Sequence, residues 1–248
     1  MNSKQLHLIM PMGGAGSRFF NYGFVMPKPL IEIEGKPFFY WAAQSIMKFI
    51  NVKDITFVVL QEHIDRFNID KTIKQYYPQS KLEIIPKILA GAVLTCREGL
   101  NNINDDNPIL FNDCDHMFKC SAFNETMNNG LKDEDFDGGL ITFKSNEPQF
   151  SYIKYDGNKI SGTIEKQVVS DDAICGAYIF RTAEIFRNIC DEYLKQCEYS
   201  EFFVSGMYNI MCEKNMKIQN YSVDYHVPFG TPTEYEAAQG NEHFKELI

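Results

Sequence analysis

Hydrophobic and polar positions along the 248-residue chain change their period several times. Residues 6–10 form a short apolar run that reads as a buried strand, and a glycine-rich turn follows it. Residues 37–50 carry helical spacing with a proline at the first position. Residues 54–60 are β-branched and apolar, which predicts a second strand. A polar, helix-prone stretch extends to about Tyr77. A third strand is predicted at 82–85, a helix at 90–100, a fourth strand at 108–112 and another at 138–144. Such alternation predicts an α/β chain with a mainly parallel sheet and helices on both faces. Ligands of such sheets bind beyond the carboxyl ends of the strands, where both the glycine-rich turn and Asp113-Cys114-Asp115 fall.

The second half has a different pattern. Residues 151–155 and 159–165 flank Asp156-Gly157, which predicts a hairpin. A strand is expected at 174–180, helices at 182–197 and 203–212, a strand at 216–223 and a last helix at 232–239. Internal repeats and linkers are not evident. The expectation is one domain over 1–248, with a half that binds nucleotide (1–145) and a half that faces a second substrate (146–248).

Charge narrows the partners. Lys and Arg number 24 against 33 Asp and Glu, a net charge of −9. Nucleic acid and anionic membranes are poor partners for such a chain. Phosphates would have to be held by a few placed cations or a metal. The seven cysteines contain no C-x-x-C pair and read as reduced thiols, consistent with the cytoplasm. The first apolar run is too short for a signal or membrane segment.

The strongest chemical signal runs from Pro11-Met12-Gly13-Gly14-Ala15-Gly16-Ser17-Arg18-Phe19 to Pro27-Lys28-Pro29-Leu30 and Gly35-Lys36-Pro37. Glycines after a strand let backbone N–H groups approach an anion. Arg18 offers a planar fork matched to phosphate oxygens, and two prolines stiffen the backbone that aims Lys28. A P-loop is excluded, because Gly16 is followed by Ser17-Arg18 and not by Lys-Ser/Thr. A dinucleotide fingerprint from Gly14 would need glycine where Phe19 stands.

The series resembles the signature of the sugar-phosphate nucleotidylyltransferases, and its opening resembles a branch often found with bacterial capsule or surface-polysaccharide functions. That resemblance implies a Rossmann-like nucleotidyltransferase fold with a mainly parallel, mixed sheet. It implies that Pro11, Met12, Gly13, Gly14, Gly16 and Ser17 wrap the nucleotide, that Arg18 steadies the triphosphate and that Lys28 contacts phosphate at the reacting centre. Gly91-Ala92 matches the place where the base is held, although a helix entry would look the same. Asp115 matches the ligand of the catalytic Mg²⁺; Asp113 and Asp224 are further metal candidates, with a turn cap and a solvated side chain as their alternatives. Glu165-Lys166 resembles the pair that meets the acceptor's hydroxyls and phosphate, although such neighbours also make solvated faces. Gly176 and Glu201 are placed with the acceptor as well. One departure stands out: Pro228 occupies the position where many relatives carry a second metal-binding Asp.

The implied reaction joins an NMP from an NTP to a sugar or polyol phosphate and releases pyrophosphate, with Mg²⁺ as cofactor and oligomeric state left open. Two alternatives remain at this point. One is a glycosyltransferase that holds a nucleotide sugar through Asp113-x-Asp115, and the other is a non-catalytic nucleotide-sensing relative.

Overall fold

In the computed structural model, which describes residues 4–131 and 136–248, the first apolar run forms β1 (Leu6–Met12), nearly all of it buried. The chain then makes the short α1 (Ser17–Asn21), a 3-10 turn at Lys28–Leu30, and a small ribbon of β2 (Glu32–Ile33) and β3 (Lys36–Pro37). α2 (Phe38–Met47) begins one residue later than the sequence suggests. Pro37 is extended at ψ 153° and ends β3 instead of opening the helix.

β4 (Val52–Leu60) follows. The single polar helix expected next is two, α3 (Gln61–Phe67) and α4 (Ile69–Tyr76). They are split by Asn68 at φ 50°, a left-handed conformation that Asn tolerates better than most residues. β5 (Lys81–Ile85), α5 (Ala92–Glu98), β6 (Ile109–Asn112), β7 (His116–Lys119), α6 (Ser121–Asn128) and β8 (Gly138–Lys144) continue the chain. The predicted hairpin is β9 (Ser151–Asp156) with β10 (Lys159–Glu165). After it come β11 (Asp172–Phe180), α7 (Ala183–Gln196), α8 (Val204–Glu213), β12 (Ile218–Ser222), β13 (Tyr225–Pro228), α9 (Pro232–Ala238) and a closing 3-10 helix at Glu242–Leu247.

Among the described residues, nine strands form one sheet through both halves of the chain. β6, β1, β4 and β5 lie side by side in parallel. β11 runs antiparallel beside β6 and attaches β8 and the β9–β10 hairpin, and β12 pairs in parallel with β8. The mixed sheet therefore places the glycine turn after β1 and the aspartates after β6 at neighbouring strand ends, as a parallel pair must.

Strand alternation assigns the two faces. Leu8, Met10, Phe57 and Val59 pack with Phe39 and Ile46 of α2, Ile73 of α4 and Phe123 of α6. Ile9, Val58 and Phe111 pack with Val93 of α5, Phe186 of α7 and Met207 of α8. Burying one such side chain contributes about 1.5–3 kcal/mol, so many together fix the layers. A third cluster, centred on Phe19, Phe38, Trp41 and Phe229, ties α1 to β13 and so holds Arg18 near the second half of the chain.

Far from the glycine turn, at the start of β1, His7 is buried between two carboxylates. Its Nδ1 lies 2.7 Å from Asp54 and its Nε2 3.0 Å from Asp105. Lys81 and Lys53 pair with the same two aspartates. Burial pushes both carboxyls upward, but hydrogen bonds from His7 and the lysines outweigh it and hold both below the usual carboxylate range. A carboxyl depressed in the folded state stabilises the chain above its unfolded pKa of about 3.9, and that stability is lost as pH falls through the folded value. Asp54→Asn should cost about 1–3 kcal/mol at neutral pH and flatten the loss of stability between about pH 5 and about pH 2. Urea unfolding of both proteins across that window checks this; parallel pH curves would contradict it.

Candidate active site

Two clefts open at the carboxyl ends of β1 and β6. The first, of about 620 Å³, is lined by Pro11 to Ser17 on one side and by Ile88 to Ala92 with Thr95 on the other. Lys28, Asp113 and Cys114 line it deeper, and Ser200 and Glu201 close it. The wall at Gly91 is strapped to the loop before α8, where Val93 donates its N–H to the Phe202 carbonyl at 3.0 Å and Phe202 donates to Ala90 at 3.4 Å. The second cleft, of about 180 Å³, is lined by Arg18, Asp113, Asp115, His116, Ser151, Gly176, Tyr178, His226 and Glu234, among others. Asp113 lines both clefts, so they meet at the end of β6.

The meeting point is bridged by an ion pair. Lys28 Nζ donates to Asp115 Oδ2 at 2.7 Å, with 29% of the lysine and 22% of the aspartate side chain exposed. Burial works to lower the Lys28 pKa, but Asp115 outweighs it and holds the ammonium charged well above its ordinary range. Burial raises Asp115, and Lys28 with His116 more than reverses this, so the carboxyl stays ionised. Asp113 carries the cost of being second: burial, and then the charge of Asp115, push it up to about 7. Burial also pushes the Cys114 thiol up to about 12, so it is no nucleophile at neutral pH.

Two glycines give these carboxylates room. Gly176, at φ 89°, faces Asp113 so closely that a Cβ there would come within 2.7 Å of Oδ2. Gly230 stands in the same way over Asp115, with no space for a Cβ. Two imidazoles and a third carboxyl share the cleft with the pair. Burial lowers the His116 pKa to about 4 and holds His226 low as well, and it raises Glu234.

The chain carries the profile of one family along nearly its whole length: the model described as nucleotidyl transferase matches residues 7–239. The chain belongs to the nucleotidyl transferase family. No curated protein sequence matches it. Solved structures do. The nucleoside-diphosphate-sugar pyrophosphorylase from Vibrio cholerae RC9 superposes with a TM-score of 0.78 at 22% identity, over 93% of this chain and 98% of that one. The inositol-1-phosphate CTP transferase from T. maritima gives 0.75 at 14% identity, over 99% and 95%. A UDP-glucose pyrophosphorylase complexed with UDP-glucose gives 0.74 at 17%, over 98% and 99%. At these identities the likeness is one of fold.

Within this nucleotidyl transferase the sequence-predicted residues fall into groups. Pro11, Met12, Gly13, Gly14, Gly16, Ser17, Lys28, Gly91 and Ala92 share the first cleft. Arg18, Asp115 and Gly176 share the second. Arg18 therefore faces the aspartates rather than the glycine turn it follows in sequence. Glu165 ends β10 and Lys166 follows it; neither lines either cleft, and each is hydrogen-bonded to a residue that lines the second, Ser151 and Phe150. Glu165 accepts hydrogen bonds from Ser151, at 2.5 Å, and from Ser205. Lys166, at φ 55°, donates its backbone N–H to Phe150 and holds its ammonium 5.6 Å from the centre of the Phe203 ring. Glu201 lines the first cleft and not the second, away from the acceptor-side group in which sequence placed it.

Asp224 lines neither cleft: its Oδ2 accepts from the Ser121 N–H at 2.9 Å and from the Ser121 hydroxyl at 2.6 Å, at the start of α6. Pro228 pairs with His116 across β13 and β7 and adds no donor. Sequence reasoning did not assign Gln149, Ser151, His116, His226 or Glu234, all of which line the second cleft. His226 and Glu234 stand within a few positions of Pro228, the departure already noted, and that nearness is the signal that could have found them.

Lys28→Met would leave Asp113 and Asp115 without their counter-charge. The loss should be about 1–3 kcal/mol near pH 8, less than for a fully buried pair because both partners are partly exposed. Removing the ammonium raises the Asp115 pKa, so protonation at about pH 5 should shrink the difference. Thermal melts of both proteins at the two pH values test this, and a deficit that grows on acidification would contradict it.

Proposed function

We propose that this nucleotidyl transferase joins a nucleoside monophosphate, taken from an NTP, to a sugar or polyol phosphate and releases pyrophosphate. The observation that carries this reading is the Lys28–Asp115 pair at the junction of the two clefts. One cleft has a glycine-rich wall suited to a nucleotide, and the other is smaller and polar. A cation and a carboxylate stand between them, where a phosphorus atom would change partners. The structural relatives support the reaction class: they include a nucleoside-diphosphate-sugar pyrophosphorylase and an inositol-1-phosphate CTP transferase. Supply of surface-polysaccharide precursors is the setting that the opening motif suggests.

A divalent metal fits the residues present. Asp113 and Asp115 offer hard oxygen donors at one place, and Mg²⁺ commonly takes only one or two carboxylates and completes its shell with phosphate and water. Pro228 stands where many relatives carry a second metal-binding Asp, and such a shell tolerates its loss. When bound there, Mg²⁺ would supply charge neutralisation at the phosphates.

The side chains account for the rest of the chemistry. The acceptor phosphate supplies the nucleophile, so no protein nucleophile is required and catalysis reduces to positioning and charge stabilisation. The glycine wall from Gly13 to Gly16 orients the nucleotide by backbone contact. Lys28 is within reach of both clefts and would leave Asp115 for the reacting phosphate. Arg18, on the wall of the second cleft beside the aspartates, would offset charge on the phosphates where the two clefts meet, and Lys166, just past β10, would draw in the acceptor phosphate. Because the whole chain carries −9, these three cations offset charge that little else opposes.

Pyrophosphate release should require an NTP, a phosphorylated acceptor and Mg²⁺ or Mn²⁺, and should stop with EDTA. Arg18→Ala should lower kcat/KM by at least about 10²-fold, roughly 3 kcal/mol, and Arg18→Lys should not restore it fully. Asp115→Asn should be far more damaging than Asp113→Asn. Equal damage from the two, with transfer to an unphosphorylated sugar and NDP as product, would indicate a glycosyltransferase instead.

A further inference from the structure

Two histidines in the second cleft are not used by the transfer step. β7 and β13 pair antiparallel, with His116 opposite Pro228 and Phe118 opposite His226. Strand alternation then puts these four side chains on one face of the ribbon. His116 stands edge-on to His226 at 5.3 Å and stacks on Phe118 at 5.5 Å, while Phe143 packs on His226 at 4.3 Å. Both imidazoles line the second cleft beside Asp115. His116 is 2% exposed, yet neither of its ring nitrogens meets a hydrogen-bond partner among the described residues, and the same holds for Nε2 of His226. A buried nitrogen without a partner costs stability. Phenylalanine would fill the same aromatic stack without that cost. The nitrogens therefore call for a ligand that the folded chain alone does not provide.

The donor and acceptor count says what kind. A neutral imidazole has one N–H donor and one lone-pair acceptor. A hydroxyl carries the complementary set. A phosphate or carboxylate only accepts, and an alkylammonium only donates, so each leaves one nitrogen of the pair unmatched. Gln149 and Ser151, in the same cleft, add further groups that both donate and accept. We propose that His116 and His226 read hydroxyl groups on the carbon skeleton of the acceptor, which makes that acceptor a polyhydroxylated phosphate and not a phosphorylated alkylammonium or a simple phosphate ester. This rests on the acceptor reading of the second cleft and assigns its specificity.

The test is calorimetric binding in Mg²⁺ with glucose 1-phosphate, a pentitol phosphate, glycerol 3-phosphate, 2-aminoethyl phosphate and inorganic phosphate as probes. At least one hydroxylated probe should bind the wild-type chain about 10-fold or more tightly than inorganic phosphate and 2-aminoethyl phosphate. His116→Phe should abolish that preference and leave NTP affinity within about threefold. His116→Gln, which keeps a donor and an acceptor, should restore part of it, and His226→Phe should weaken it if the first variant folds poorly. A preference for 2-aminoethyl phosphate, hydroxylated probes no tighter than inorganic phosphate, or an undiminished preference in folded His116→Phe would each overturn the proposal. Pyrophosphate release measured alongside separates the two claims. Hydroxyl-dependent binding without NTP turnover would defeat the transfer reading and leave the role of the histidines supported.

Discussion

The site depends on one contact, the ion pair between Lys28 and Asp115 at 2.7 Å. Two carboxylates two residues apart, just past the end of one strand, repel each other and resist burial. Lys28 allows one of them to remain ionised, while the other is driven toward the neutral form. That asymmetry keeps Asp115 as the carboxylate that stays charged. It also holds a cation at the junction of the two clefts, so that the charges there are offset within the chain itself. The prolines on both sides of Lys28 and the glycines over both aspartates serve the same contact, one by aiming the ammonium and the other by clearing space.

The parts of the fold that could be read from sequence are those specified locally. β1, β4, β6 and the β9–β10 hairpin each have an uninterrupted apolar or alternating run, and their bounds differ by only a few residues from the expected ones. β7, β13 and α6 did not show, because His116–Lys119 and Tyr225–Pro228 are short and their apolar pattern has meaning only once the two are paired. The long polar stretch before Tyr77 was legible as helix but not as two helices, since the break is a single Asn in the left-handed region.

The same division holds for the site. The glycine turn, Lys28 and Asp115 stand in motifs whose chemistry follows from neighbouring residues. Arg18 and Glu201 are harder, because adjacency in sequence says little about which side of a cleft a side chain faces; the clusters around Phe19 and the strap at Phe202 decide that. His226 lies more than a hundred positions from His116 and joins it only through a two-stranded ribbon. Asp224 illustrates the converse. An acidic residue near the expected metal position hydrogen-bonds a helix N-terminus, a use that composition alone does not distinguish from ligation.

The most direct test of the central claim, that Lys28 and Asp115 mark the place where an α-phosphate changes partners, follows the label from an NTP. The chain is incubated with Mg²⁺, each of four NTPs labelled at the α-phosphate, and a panel of hydroxylated phosphates. The expected result is label in a nucleotide–acceptor conjugate, with an equal amount of pyrophosphate released and both lost in Asp115→Asn. Label recovered only as free nucleoside mono- or diphosphate, or conjugate formation that survives Asp115→Asn unchanged, would contradict it.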